Sequence, residues 1–137
     1  MLSIEHATIL VGHSGLTTDA IASILDDTEF KVIARARSVN RLQPGDLQHK
    51  AILLILDGSC GVQNAVRQVK AFRQLHGDPR IAVLMRAITV ADVASLFRAG
   101  VNVCFGQDTL PAIFLKSLQL AMLGETFLPL RRRVHGR

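Results

Sequence analysis

The segment Ala51-Ile52-Leu53-Leu54-Ile55-Leu56-Asp57 constrains this chain more than any other. Six apolar residues in succession predict a strand buried on both faces, the environment of a central parallel strand covered by helices. The run is also the longest apolar stretch in the sequence and is far too short to span a bilayer. It ends in an aspartate. A carboxylate at that position either caps the local turn, accepting bonds from Gly58 and Ser59, or does chemistry.

The segments around it alternate between strand and helix patterns. Ala7 to Val11 reads as a β-branched strand ended by Gly12, and Thr17 or Thr18 is placed to cap a helix running to about Asp27. Lys31 to Arg35 reads as a weaker strand, and Pro44-Gly45 interrupts a poor helix between Val39 and His49. Val62 to Leu75 has helical spacing, Arg80 to Met85 reads as a fourth strand, and Val90 to Arg98 as a helix closed by Gly100. Asn102 to Phe105 is a fifth strand, and Pro111 opens a last helix that reaches Leu123 and ends at Gly124. Five βα units in succession imply a parallel sheet with helices on both faces. Functional groups in such folds collect at the carboxyl ends of the strands. The candidate site is therefore Gly12, His13 and Ser14, then Asp57, Gly58 and Ser59, then Met85, Arg86 and Ala87, then Gly106, Gln107 and Asp108.

Composition narrows the function classes. The chain is 49% hydrophobic and 20% charged, as a globular domain is. Arg131, Arg132, Arg133 and Arg137 supply four of the five net positive charges, so the rest of the chain is close to neutral. With no Trp or Tyr, stacking platforms for single-stranded nucleic acid are scarce. The start of the chain lacks the basic residues and long apolar stretch of a signal peptide. Two cysteines, Cys60 and Cys104, make no disulfide framework and no zinc-type spacing, which points to a reducing cytoplasm.

The glycine-rich segment Gly12-His13-Ser14-Gly15-Leu16-Thr17-Thr18 fails two enzyme patterns. A P-loop needs wider glycine spacing and a lysine for the phosphates. A nucleophile elbow needs a residue between its serine and its second glycine, and here Gly15 follows Ser14 directly.

The five units, their spacing and Leu53-Leu54-Ile55-Leu56-Asp57 resemble the receiver domain of bacterial response regulators. Ala99-Gly100 before the fifth strand fits, and Leu123-Gly124-Glu125-Thr126-Phe127-Leu128-Pro129 is similar to the segment after the last receiver helix in NarL/LuxR-type regulators. The resemblance implies a flavodoxin-like (CheY-like), doubly wound five-stranded sheet of order 2-1-3-4-5 in three α/β/α layers. It also implies that Asp57 is the phospho-acceptor position, served by a histidine kinase. The receiver-like domain would cover residues 1–129, with a basic tail or linker at 130–137. A DNA-binding helix-turn-helix domain would follow the tail in a longer regulator, and nothing after Pro129 is long enough to be one; the alternative is a domain that stands alone.

The rest of the family's machinery is replaced. An acidic pair that holds Mg²⁺ matches Gly12 and His13, the switching threonine or serine matches Met85, and the lysine matches Gln107. One carboxylate beside a histidine is a poor magnesium site. Losing the metal and the lysine removes the charge neutralisation on which phosphoryl transfer depends. No cofactor is expected. His13 or Arg86 could hold Asp57 as a carboxylate in a permanently set, metal-free site. The chain thus reads as an atypical receiver, non-catalytic and acting through protein contacts. The alternatives are a phospho-acceptor with unorthodox chemistry and a small-ligand-binding or enzymatic flavodoxin-like domain. Ile113, Phe114, Leu115, Leu118, Leu120, Ala121, Met122 and Leu123 exceed one helical stripe, which suggests a homodimer through the last helix and neighbouring elements.

Overall fold

The computed structural model describes residues 4–126 and 128. Every residue of the strand Ile52–Asp57 is buried. In chain order the elements are β1 (His6–Val11), α1 (Gly15–Leu25), β2 (Phe30–Ala36), β3 (Ile52–Asp57), α2 (Val62–Leu75), β4 (Arg80–Met85), α3 (Val90–Ala99), β5 (Val103–Gly106) and α4 (Pro111–Met122). The strands form one parallel sheet of order β2-β1-β3-β4-β5.

Alternation along β3 divides the core in two. Leu54 and Leu56 join Ile9, Val11 and Val83 under Ala65, Val69 and Phe72 of α2 and Leu96 of α3. Leu53 and Ile55 join Leu10, Val103 and Phe105 under Ile21 and Leu25 of α1 and Phe114, Leu118 and Ala121 of α4. Two helices on each face give the three-layer, doubly wound arrangement that the sequence implied.

Two expectations need correction. The crossover between β2 and β3 contains no α-helix: it is two 3₁₀ turns, Val39–Arg41 and Pro44–Leu47. Pro44 lacks an N–H and tolerates only a first-turn position, and the Gln43 amide is held by the Asp46 carboxylate at 2.9 Å, which closes the turn on itself. Helix α1 is capped by Ser14, not by Thr17 or Thr18. The Ser14 hydroxyl accepts from the Thr17 amide at 3.3 Å, while Thr18 lies inside the helix and donates its hydroxyl to the Ser14 and Gly15 carbonyls.

Sheet order places a topological switch point between β1 and β3, where the chain has gone outward to β2 and then crossed back. The carboxyl ends of those two strands carry Gly12 and Asp57. Among the described residues no helix is long and apolar enough to cross a membrane. Phe127, Pro129, Arg131, Arg132, Arg133, His135 and Arg137, with the expected boundary at 129 and the basic tail, lie outside the described residues.

Candidate functional site

Asp57 is held at the last position of β3, paired across to Leu84 of β4, with only 5% of its surface exposed. Its Oδ1 accepts the Ser59 amide at 3.0 Å, so the local turn does satisfy one carboxylate oxygen. The other oxygen, Oδ2, is buried and has no hydrogen-bond partner among the described residues. A buried carboxylate oxygen without a donor is costly.

Two neighbours close the space over it. Gly12 packs so tightly that a Cβ there would lie 2.8 Å from the Asp57 Cβ and 3.0 Å from the Thr18 methyl. Gly58 donates its amide to the Leu84 carbonyl at 2.7 Å, and a Cβ on it would meet the Met85 sulfur at 2.4 Å. Met85 is itself buried, so its thioether fills the ground above Gly58. The thioether is apolar and polarizable and fills gaps well, but it is a weak acceptor and no donor to a phosphoryl oxygen.

Of the other predicted residues, Arg86, Gln107 and His13 make no hydrogen bond or ion pair with Asp57. Arg86 and Gln107 are exposed, Gln107 on a turn closed by Thr109, whose hydroxyl donates to the Gly106 carbonyl at 2.7 Å. Arg86 makes no ion pair among the described residues. His13 is exposed, and its Nδ1 lies 3.4 Å from Nη2 of Arg37. A guanidinium has donors only, so in that contact Nδ1 acts as the acceptor. The expected pairing of Asp57 with His13 or Arg86 is therefore not formed. His13 instead contacts Arg37 on the β2 side of the sheet, and Asp57 Oδ2 has no partner among the described residues.

Magnesium does not fit the residues present. The ion needs a near-octahedral shell of oxygens, usually including more than one carboxylate or phosphate. Asp57 offers one carboxylate, on a residue only 5% exposed; Gly12 offers no side-chain ligand and has no room to gain one. Among the described residues no three His, Cys, Asp or Glu side chains group closely enough to hold a metal. The cysteines divide in the same way as the polar groups: Cys60 is exposed after β3, whereas burial in β5 pushes the Cys104 thiol up to about 12 and keeps it protonated.

Sequence reasoning missed the residues on the far side of Gly12. Arg35 donates through Nη2 to the Thr18 hydroxyl at 2.9 Å and pairs with Asp19, and Arg37 meets His13. With Gly12 and Gly15 they line a cleft of about 440 Å³. The only signal was the charged alternation of β2, which by itself reads as an ordinary exposed edge.

Solved structures similar to this chain include response regulators. The isolated REC domain of RcsB from Salmonella enterica serovar Typhimurium, studied with the phosphomimetic BeF3-, matches with a TM-score of 0.76 at 16% identity, over 91% of this chain and 94% of that one. A LuxR-family two-component response regulator from Aurantimonas sp. SI85-9A1 matches with a TM-score of 0.77 at 16% identity, over 91% and 89%. A longer RcsB chain from Salmonella typhimurium, described for its conformational dynamism in DNA interaction, matches at 0.75 and 16% over 93% of this chain, which spans 63% of that protein's length. The chain has the receiver-domain fold. No protein-family model and no curated protein matches its sequence.

Proposed function

We propose that this chain is a receiver-type regulatory module whose phospho-acceptor site is degenerate, so that it signals through protein contacts and not through phosphoryl transfer. The observation that carries this reading is the burial of Asp57 Oδ2, without a partner among the described residues, against a glycine that leaves no room for a metal-binding side chain. In-line transfer needs the nucleophilic oxygen exposed to the donor and the transferred oxygens neutralised by cations. Here the oxygen is covered, the metal pair is Gly12 and His13, and the position of the switching hydroxyl is filled by Met85.

The contact surface we assign to the module is the outer face of α4. Ile113 and Leu120 lie seven residues apart on one helical stripe, with Leu110 and Leu123 at its ends, and all four are exposed while Phe114, Leu118 and Ala121 face the core. A second copy of the chain is the partner this stripe suits. DNA binding would belong to a further domain in a longer regulator, and the two unpaired thiols suit a reducing cytoplasm.

Titration with Mg²⁺ and then beryllofluoride, followed by amide NMR and ¹⁹F NMR, tests the reading. The expected result is no saturable shift at Gly12, Asp57 or Gly58 and no protein-bound fluoride signal. Saturable binding abolished by Asp57→Asn would overturn it.

A further inference from the structure

The cleft beside Gly12 combines features that the receiver reading does not use. Its basic side chains are His13, Arg35 and Arg37, and among the described residues no carboxylate lines it, although Asp19 pairs with Arg35 at its edge. Outside the arginine tail the chain is close to neutral, so this concentration of positive charge is local. Arg35 and Arg37 are two residues apart at the end of β2, the spacing that sends side chains of an extended segment to one side. The parallel register of Val11 with Ala36 brings that end level with His13.

The partners of the three groups are unequal. Arg35 is anchored: Thr18 and Asp19 fix one edge of its guanidinium, leaving further N–H donors of the fork unassigned. Arg37 has no carboxylate partner among the described residues, and its one hydrogen-bond contact is a 3.4 Å approach to a histidine. A guanidinium gains less from a ring nitrogen at 3.4 Å than from an oxyanion. An oxyanion drawn into the cleft would accept from Arg37 and Arg35, and from an N–H of the His13 ring turned toward it. Arginine forks match the oxygens of a phosphate with paired, charge-assisted bonds. The cleft volume lies within the range of small-ligand sites. Three basic groups in a concavity suit one phosphate better than a duplex, whose affinity rests on many backbone contacts.

We propose that this cleft binds a phosphate-bearing small molecule of about mononucleotide size, with the phosphate held by Arg37, Arg35 and His13. Asp57 takes no part, so the proposal stands whether or not that residue is ever phosphorylated.

Amide NMR of the full chain, titrated separately with sodium phosphate, 5′-AMP and a short DNA duplex against sodium chloride of matched ionic strength, tests it. Saturable shifts at Gly12, Gly15 and Arg37 are expected with AMP, with a Kd on the order of 1 mM or tighter, and weaker ones with phosphate. Arg37→Glu is expected to raise the AMP Kd by about tenfold or more, and Arg37→Gln to raise it less, with thermal melting unchanged in both. Absence of saturable shifts, equal shifts with sodium chloride, or a response to the duplex alone would each overturn the proposal.

Discussion

The ends of β3 and β2 lie on either side of β1 and treat charge in opposite ways. At the end of β3 a carboxylate is 5% exposed, with one oxygen bonded to its own turn and the other without a partner among the described residues. At the end of β2 two arginines stand exposed around an open cleft, one of them without a carboxylate partner among the described residues. Gly12 is the partition between them, packed against Asp57 and also lining the cleft. Acidic residues at positions 12 and 13 would offer ligands to a metal and counter-charges to Arg35 and Arg37 at once. Glycine and histidine there supply neither, so on the proposed reading the residues that leave the buried side without metal ligands also leave the open side positive.

The largest way to break this contrast is to put a side chain into the partition. Gly12→Asp is expected to cost about 3 kcal/mol in urea unfolding, because its Cβ overlaps Asp57 and brings a second buried carboxylate. Unchanged stability together with new Mg²⁺ affinity would show that the space over Asp57 is open. Gly58→Ala is expected to cost about 2 kcal/mol through its clash with Met85, and about 1 kcal/mol less in a Met85→Ala background; an equal cost in both backgrounds would remove Met85 as the plug. Asp57→Ala is expected to change stability by about 1 kcal/mol or less, since it discards one hydrogen bond and relieves one unsatisfied oxygen. A loss several times larger in the same denaturation assay would reveal a partner for Oδ2. Arg37→Glu, on the open side, is expected to leave stability within about 0.5 kcal/mol by thermal melting.

Much of the sheet was legible because its signals are local. Ile52 to Leu56 is apolar on both faces, Val62 to Leu75 repeats at helical spacing, and both elements fall where the pattern puts them. The cap of α1 was harder: Ser14 and Thr17 sit in a run of small polar residues where several hydroxyls have plausible spacing, and only backbone direction singles out Ser14. Asp57 was legible as a site because a charge at the end of a buried strand stands out. Its partners were not, since the direction of a loop side chain such as His13 depends on what the neighbouring strand offers. That offer is Arg37, twenty-four residues away in sequence, brought close by the β1–β2 register. The crowding at Gly12 and Gly58 is likewise invisible without coordinates, for a glycine's importance lies in the atoms that occupy the place of its missing side chain.

The proposal that Asp57 does not accept a phosphoryl group is tested most directly by incubating the chain with excess acetyl phosphate and Mg²⁺ and measuring intact mass. An unmodified mass is expected, identical to that of Asp57→Asn treated in parallel. A phosphoryl adduct present on the unaltered chain and missing from Asp57→Asn would contradict it.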